Sequence, residues 1–110
     1  MDFFNYKDGK LFCEDVDLSL ISTKFDTPAY VYSKKTLERH IDAYVESFSS
    51  NNNLVCFAVK SLSNISILKI LKDKGCGFDI VSGGELHRVM LVGADPKKII
   101  FSGVGKSKKE

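Results

Sequence analysis

The 110-residue sequence predicts an α/β fold: the N-terminal part of a (β/α)8-type barrel, about three and a half βα units, after a short β-hairpin. Two observations carry the α/β part. Strand-like runs begin near residues 28, 54, 77 and 99, spaced 26, 23 and 22 residues apart, with a helix-like stretch after each of the first three and a helix start after the fourth. Strict alternation of this kind builds βαβ units on a parallel sheet. The runs at Leu54–Val59 and Ile99–Phe101 are also unbroken and apolar, as strands are when both faces are covered.

The first segment precedes this rhythm. Phe4, Tyr6, Leu11 and Phe12 flank Lys7-Asp8-Gly9-Lys10. Asp-Gly between apolar residues favours a two-residue turn in which both residues take positive φ. The spacing predicts two antiparallel strands, then a short helix over Leu18–Phe25 started by Asp15 and Asp17.

Each later unit has its own punctuation. Pro28–Tyr32 is the first expected barrel strand. Ser33 caps a helix carrying Leu37, Ile41, Tyr44, Val45 and Phe48 on one face. A loop follows over Ser49–Asn53. After Leu54–Val59, Ser63 or Asn64 caps a helix with Ile67, Leu68 and Leu71 inward and Gly75 as its stop. Gly77–Val81 is the third strand. Ser82-Gly83-Gly84-Glu85 has capping-box form and opens a helix with Leu86, Val89 and Met90 apolar, stopped by Gly93. Ile99–Phe101 is the fourth strand, and Ser107-Lys108-Lys109-Glu110 is a second capping box.

By this pattern alone, a doubly wound open sheet and an eight-unit barrel fit equally. A barrel takes about 250 residues, so the chain is expected to be a fragment of a longer protein. The expected organisation is a hairpin and short helix over 1–26 and a truncated barrel over 27–110.

Composition excludes several classes. Hydrophobic residues make up 44% and charged residues 27%, which fits neither a disordered nor a membrane-spanning chain. A net charge of +2 gives no argument for nucleic acid, and Lys106, Lys108 and Lys109 read as a solvated helix start. The first residues show no signal-peptide pattern. Three cysteines, Cys13, Cys56 and Cys76, without Cys-x-x-Cys spacing, suggest neither a disulfide framework nor a zinc site. A cytoplasmic location fits. Cys56 is expected as a small core residue, His40 and His87 as surface or packing residues, and Asn64-Ile65-Ser66 as a chance sequon.

Lys60 is the candidate for chemistry. If the strand continues to it, Cys56, Ala58 and Lys60 point one way and Val55, Phe57 and Val59 the other. An amine at the carboxyl end of a barrel strand, beside small residues, is well placed to hold an aldehyde cofactor as a Schiff base. Desolvation there favours the neutral, nucleophilic amine. The same pattern also fits a strand-end lysine reaching solvent.

The wider sequence bears on that choice. Phe57-Ala58-Val59-Lys60, Gly77-Phe78-Asp79-Ile80-Val81-Ser82-Gly83-Gly84-Glu85-Leu86 and Ile99-Ile100-Phe101-Ser102-Gly103-Val104-Gly105-Lys106-Ser107 closely resemble the diaminopimelate decarboxylase family. Phe4-Asn5-Tyr6-Lys7-Asp8-Gly9 and Thr27-Pro28-Ala29-Tyr30-Val31-Tyr32 are similar to it too, and the resemblance keeps its spacing to the last residue. It implies a (β/α)8 barrel binding pyridoxal 5'-phosphate, like that of alanine racemase, and a separate β domain to which the hairpin belongs. It also implies a homodimer that completes the active site, and a small amino-acid substrate, meso-diaminopimelate, converted to L-lysine. Lys60 then holds the cofactor, with Ala58 and Asp79 beside it. Asp79 is otherwise a polar strand residue satisfied by backbone. No metal is implied. The glycine-rich phosphate-binding segment, the acidic partner of the pyridine nitrogen and the substrate residues come later in that family's chain.

One departure stands out: the family continues Ala-Val-Lys with Ala-Asn, where Ser61-Leu62 occurs here. Three other readings remain: a related ornithine, arginine or carboxynorspermidine decarboxylase, a non-catalytic pyridoxal-phosphate carrier, and an inactive remnant. Gly103-Val104-Gly105-Lys106-Ser107 is superficially like a P-loop, but that motif needs glycine where Ile100 stands.

Overall fold

A computed structural model describes residues 2–48, 50 and 52–110. Two compact units are present, residues 1–40 and 41–110. The loop expected over 49–53 includes residues 49 and 51, which lie outside the described residues.

The first unit is a meander followed by a helix. Strand β1 (Phe4–Lys7) pairs antiparallel with β2 (Lys10–Cys13), with Lys7 opposite Lys10. Asp8 and Gly9 form the turn at φ 51° and 75°, as Asp-Gly predicts. A third strand, β3 (Val16–Asp17), was not expected and pairs with β2. Its two residues are too few to leave an alternation signal. Helix α1 (Leu18–Phe25) follows, N-capped by Asp17, whose carboxylate accepts the Ser19 N–H at 2.9 Å. Asp15 lies in the turn before β3 and does not cap the helix.

Ser33, buried, caps helix α2 (Lys34–Ser47) by accepting the Thr36 N–H at 3.0 Å. Its hydroxyl donates to Glu14 Oε1 at 2.8 Å, and the same oxygen accepts the Lys35 N–H at 2.9 Å. Glu14 reaches that position from a left-handed turn at φ 56°. The N–H and hydroxyl donors pull its carboxyl below the ordinary range, the Lys35 N–H most strongly.

Pro28–Tyr32 is not a strand. It pairs with no neighbour among the described residues, and Tyr30 is 92% exposed. A β-prone run becomes a strand only when another strand meets its backbone donors and acceptors.

The second unit holds the parallel sheet. Its strands β4 (Cys56–Ala58), β5 (Gly77–Ile80) and β6 (Ile99–Phe101) lie in the order β4-β5-β6. Helices α3 (Ile65–Asp73) and α4 (Gly83–Leu91) fill the connections. Asn64 caps α3, accepting from the Ser66 and Ile67 N–H groups at 2.9 and 3.3 Å. Gly75 and Gly93 end the two helices at φ 85° and 75°.

Phe57, Phe78 and Ile99 are register partners, as are Ile80 and Phe101, so these five share one face. Phe78 and Ile80 are buried on it, with Leu68 of α3 and Val89 of α4. Burying Phe78 contributes about 2–3 kcal/mol. Gly77 is required where it stands: a Cβ there would lie 2.4 Å from the Lys98 carbonyl and 2.8 Å from Cys56 Sγ. Met90, expected on the apolar face of α4, is exposed, as are Tyr44 and Val45 on α2 and Phe48 just after it.

Candidate active site at the carboxyl ends of the parallel strands

The opposite face of the sheet carries the polar chemistry. Ala58, Asp79 and Ile100 form one row across it, with Cys56 and Gly77 as the row before. Ala58 is the last residue of β4, and Asp79 is next to last in β5. Both therefore sit at the carboxyl ends of their strands.

Asp79 Oδ1 is buried and has no hydrogen-bond partner among the described residues. The bland expectation, a carboxylate satisfied by nearby backbone, fails for this oxygen. Leaving such an acceptor unmet costs about 1–3 kcal/mol, so an oxygen of this kind points to a donor supplied from elsewhere. Cys56 feels the same carboxylate. Burial pushes its thiol up, and the charge of Asp79 pushes it further. The thiol therefore stays protonated and is a poor nucleophile.

Lys60 lies just past β4, but not on it. The strand ends at Ala58, and Val59–Ser61 form one turn of 3-10 helix. The expected strand to Val59, with Lys60 continuing the side of Cys56 and Ala58, is thus corrected. The Ser61 hydroxyl donates to the Ala58 carbonyl at 2.7 Å, and the Leu62 N–H donates to Val59 at 3.1 Å. These local bonds replace the ladder. Val59 becomes fully buried, while Lys60 is exposed. The desolvation expected at Lys60 is not supplied by these residues. Its amine forms no hydrogen bond or ion pair among them and is uncommitted. Ser61, the departure from the family pattern, is the residue that closes this turn.

The remaining expected side-chain roles are met in part. Ser82 caps α4, its Oγ accepting the Glu85 N–H at 3.2 Å. Glu85 does not return to Ser82; it accepts the Val81 N–H at 2.8 Å, one residue further back. His87 is exposed, and His40 lies beside Arg39 at the surface. Lys106 folds back onto its own loop, donating to the Phe101 and Gly103 carbonyls at 3.0 and 3.4 Å. No helix among the described residues is long and apolar enough to cross a membrane.

Two features left no signal in the sequence. Placing Cys56 over Gly77 and beside Asp79 depends on sheet register, and the Glu110 side chain reaches Gly83 N–H across 27 residues.

Ala58, Asp79 and Lys60 suit an aldehyde cofactor: a small side chain, an acceptor lacking a donor, and an uncommitted amine at one sheet end. Comparison with known proteins shows the family. Residues 34–110 match the family described as pyridoxal-dependent decarboxylase, pyridoxal binding domain. Diaminopimelate decarboxylase of Haemophilus influenzae is 52% identical over 110 residues, covering 100% of this chain and 26% of that protein. Its counterpart from Pseudomonas aeruginosa is 51% identical over 108 residues, covering 98% and 26%. The crystal structure of diaminopimelate decarboxylase from Methanocaldococcus jannaschii in complex with L-lysine superposes with a TM-score of 0.93 at 35% identity, covering 98% of this chain and 26% of that one. The chain spans about a quarter of the length of these relatives.

Proposed function

We propose, on the premise that this chain belongs to the pyridoxal-dependent decarboxylases by its pyridoxal binding domain, that it is the N-terminal part of a diaminopimelate decarboxylase. The whole protein converts meso-diaminopimelate to L-lysine and carbon dioxide. Lys60 is the cofactor-holding amine, and Ala58 and Asp79 line the cofactor pocket. The observation that carries this reading is the buried, unpartnered Oδ1 of Asp79 in the same row as Ala58, one turn from the amine of Lys60 along the chain.

Pyridoxal phosphate, when bound, supplies an aldehyde that exchanges amines and a ring that takes up the electrons released as carbon dioxide leaves. This chain does the holding. Lys60 Nζ would hold the group covalently through its aldehyde carbon and, when not so engaged, would carry a proton. Asp79 Oδ1 would accept a donor brought by the bound group. Ala58 leaves the space a larger side chain would fill. The rest of the protein closes the barrel, shields Lys60 from water and supplies the phosphate and substrate contacts.

The same reading assigns residues 1–26 to a separate β domain and 27–110 to a (β/α)8 barrel. It places the enzyme in the cytoplasm as a homodimer. The test is a decarboxylation assay of the full-length protein with pyridoxal phosphate. Release of L-lysine from meso-diaminopimelate is expected. Turnover of ornithine, arginine or carboxynorspermidine in its place overturns the substrate assignment, and turnover of none overturns the activity.

A further inference from the structure

Glu110 divides its two carboxylate oxygens between two chain segments. Oε2 accepts from the N–H and the hydroxyl of Ser107, each at 2.9 Å, and Ser107 Oγ accepts the Glu110 N–H at 3.3 Å. This is the reciprocal pattern of a capping box. Oε1 accepts the Gly83 N–H at 3.0 Å. That N–H belongs to the first residue of α4 and has no acceptor within its own helix. Glycine lets the carboxylate come close, since a Cβ on Gly83 would already lie 3.3 Å from Glu110 Cγ and Oε1. The Ser107 and Gly83 N–H groups hold the carboxyl below its ordinary range, in that order of strength.

The loop between β6 and Ser107 is held at its other end by β5. The Ser102 N–H donates to the Ile80 carbonyl at 3.0 Å. Gly103 lies so near Val81 that a Cβ would come within 2.6 Å of the Val81 carbonyl. The loop thus rests on the residues that follow Asp79 in the chain.

We propose that Glu110 is a positioning residue, whose carboxylate pins the Ser102–Lys106 loop against the carboxyl end of β5 by tying the Ser107–Glu110 turn to the first N–H of α4. Resting on the function proposed above, this makes Glu110 the brace for the wall of the cofactor pocket next to Asp79.

The test compares the full-length protein with its Glu110→Gln and Glu110→Ala variants by amide hydrogen exchange, without cofactor. Exchange at Gly83 is expected to rise about tenfold in Glu110→Ala. Glu110→Gln, which keeps one acceptor oxygen, should fall between. Equal exchange at Gly83 in all three overturns the clamp. If the alanine variant also exchanges faster at Leu68 and Phe78, it has loosened globally, and the nearly isosteric glutamine variant decides. In a second arm, the Kd for pyridoxal phosphate should rise at least about threefold in Glu110→Ala. Faster exchange with unchanged affinity overturns the positioning role. A wild-type protein that takes up no pyridoxal phosphate sinks the function reading, and the exchange arm still decides the clamp.

Discussion

Ala58 and Asp79 face each other across the parallel ladder of β4 and β5, and Asp79 directs a buried carboxylate oxygen at no donor among the described residues. A group kept at a cost to the fold marks a site that serves something other than stability. Asp79→Ala should therefore raise the melting temperature of the full-length protein without cofactor, worth about 1 kcal/mol. The same change should weaken pyridoxal-phosphate affinity about tenfold or more. Calorimetry and a cofactor titration check the two arms. A lower melting temperature with unchanged affinity would give Asp79 a purely structural role.

The glycines of the second unit differ in what surrounds them. Gly77→Ala drives a methyl group into the Lys98 carbonyl and Cys56 Sγ, at 2.4 and 2.8 Å. It should destabilise the protein by about 1–3 kcal/mol or more in urea unfolding. Gly105 has nothing within 4 Å, and Gly105→Ala should change stability by less than about 0.5 kcal/mol.

Asn64 satisfies two N–H groups at the start of α3, at 2.9 and 3.3 Å. Asn64→Ala should cost about 1 kcal/mol, and Asn64→Asp should restore most of it. Urea midpoints of the three proteins test the order.

The Glu14 carboxylate caps α2 from 19 residues upstream of Ser33, and its donors lower its pKa in the fold from the ordinary 4.5. A lowered carboxylate pKa contributes stability above the unfolded value, lost as pH falls through the folded one. Wild type should thus lose stability on acidification below about pH 4.5 more steeply than Glu14→Gln. Parallel melting curves for the two across that range would refute the contribution.

How legible each element was followed from how local its causes are. Gly9, Asn64, Ser82 and the stops at Gly75 and Gly93 act within a turn of chain, and the structure bears each out. The starts of β5 and β6 were read correctly because their apolar runs are bounded by Gly77 and by Pro96. Pro28–Tyr32 failed because a strand depends on a neighbour that its own residues cannot specify. The strand leading to Lys60 was read too long, since it ends at Ala58 and Val59–Ser61 form a 3-10 turn. The hydrogen bond from Ser61 to Ala58 closes the 3-10 turn that takes in Val59 and Lys60. Asp79 could be named from its motif, yet its unmet oxygen was visible only once β4 and β5 were paired.

The Lys60 amine is the proposed point of cofactor attachment, and reductive trapping tests it most directly. The full-length protein is incubated with pyridoxal phosphate, reduced with borohydride, digested and mapped by mass spectrometry. A pyridoxyl group on Lys60, absent after Lys60→Ala together with the visible absorbance of the bound cofactor, is the expected result. A pyridoxyl group on any other lysine, or a Lys60→Ala protein that keeps its absorbance and its carbon dioxide release, would contradict the account.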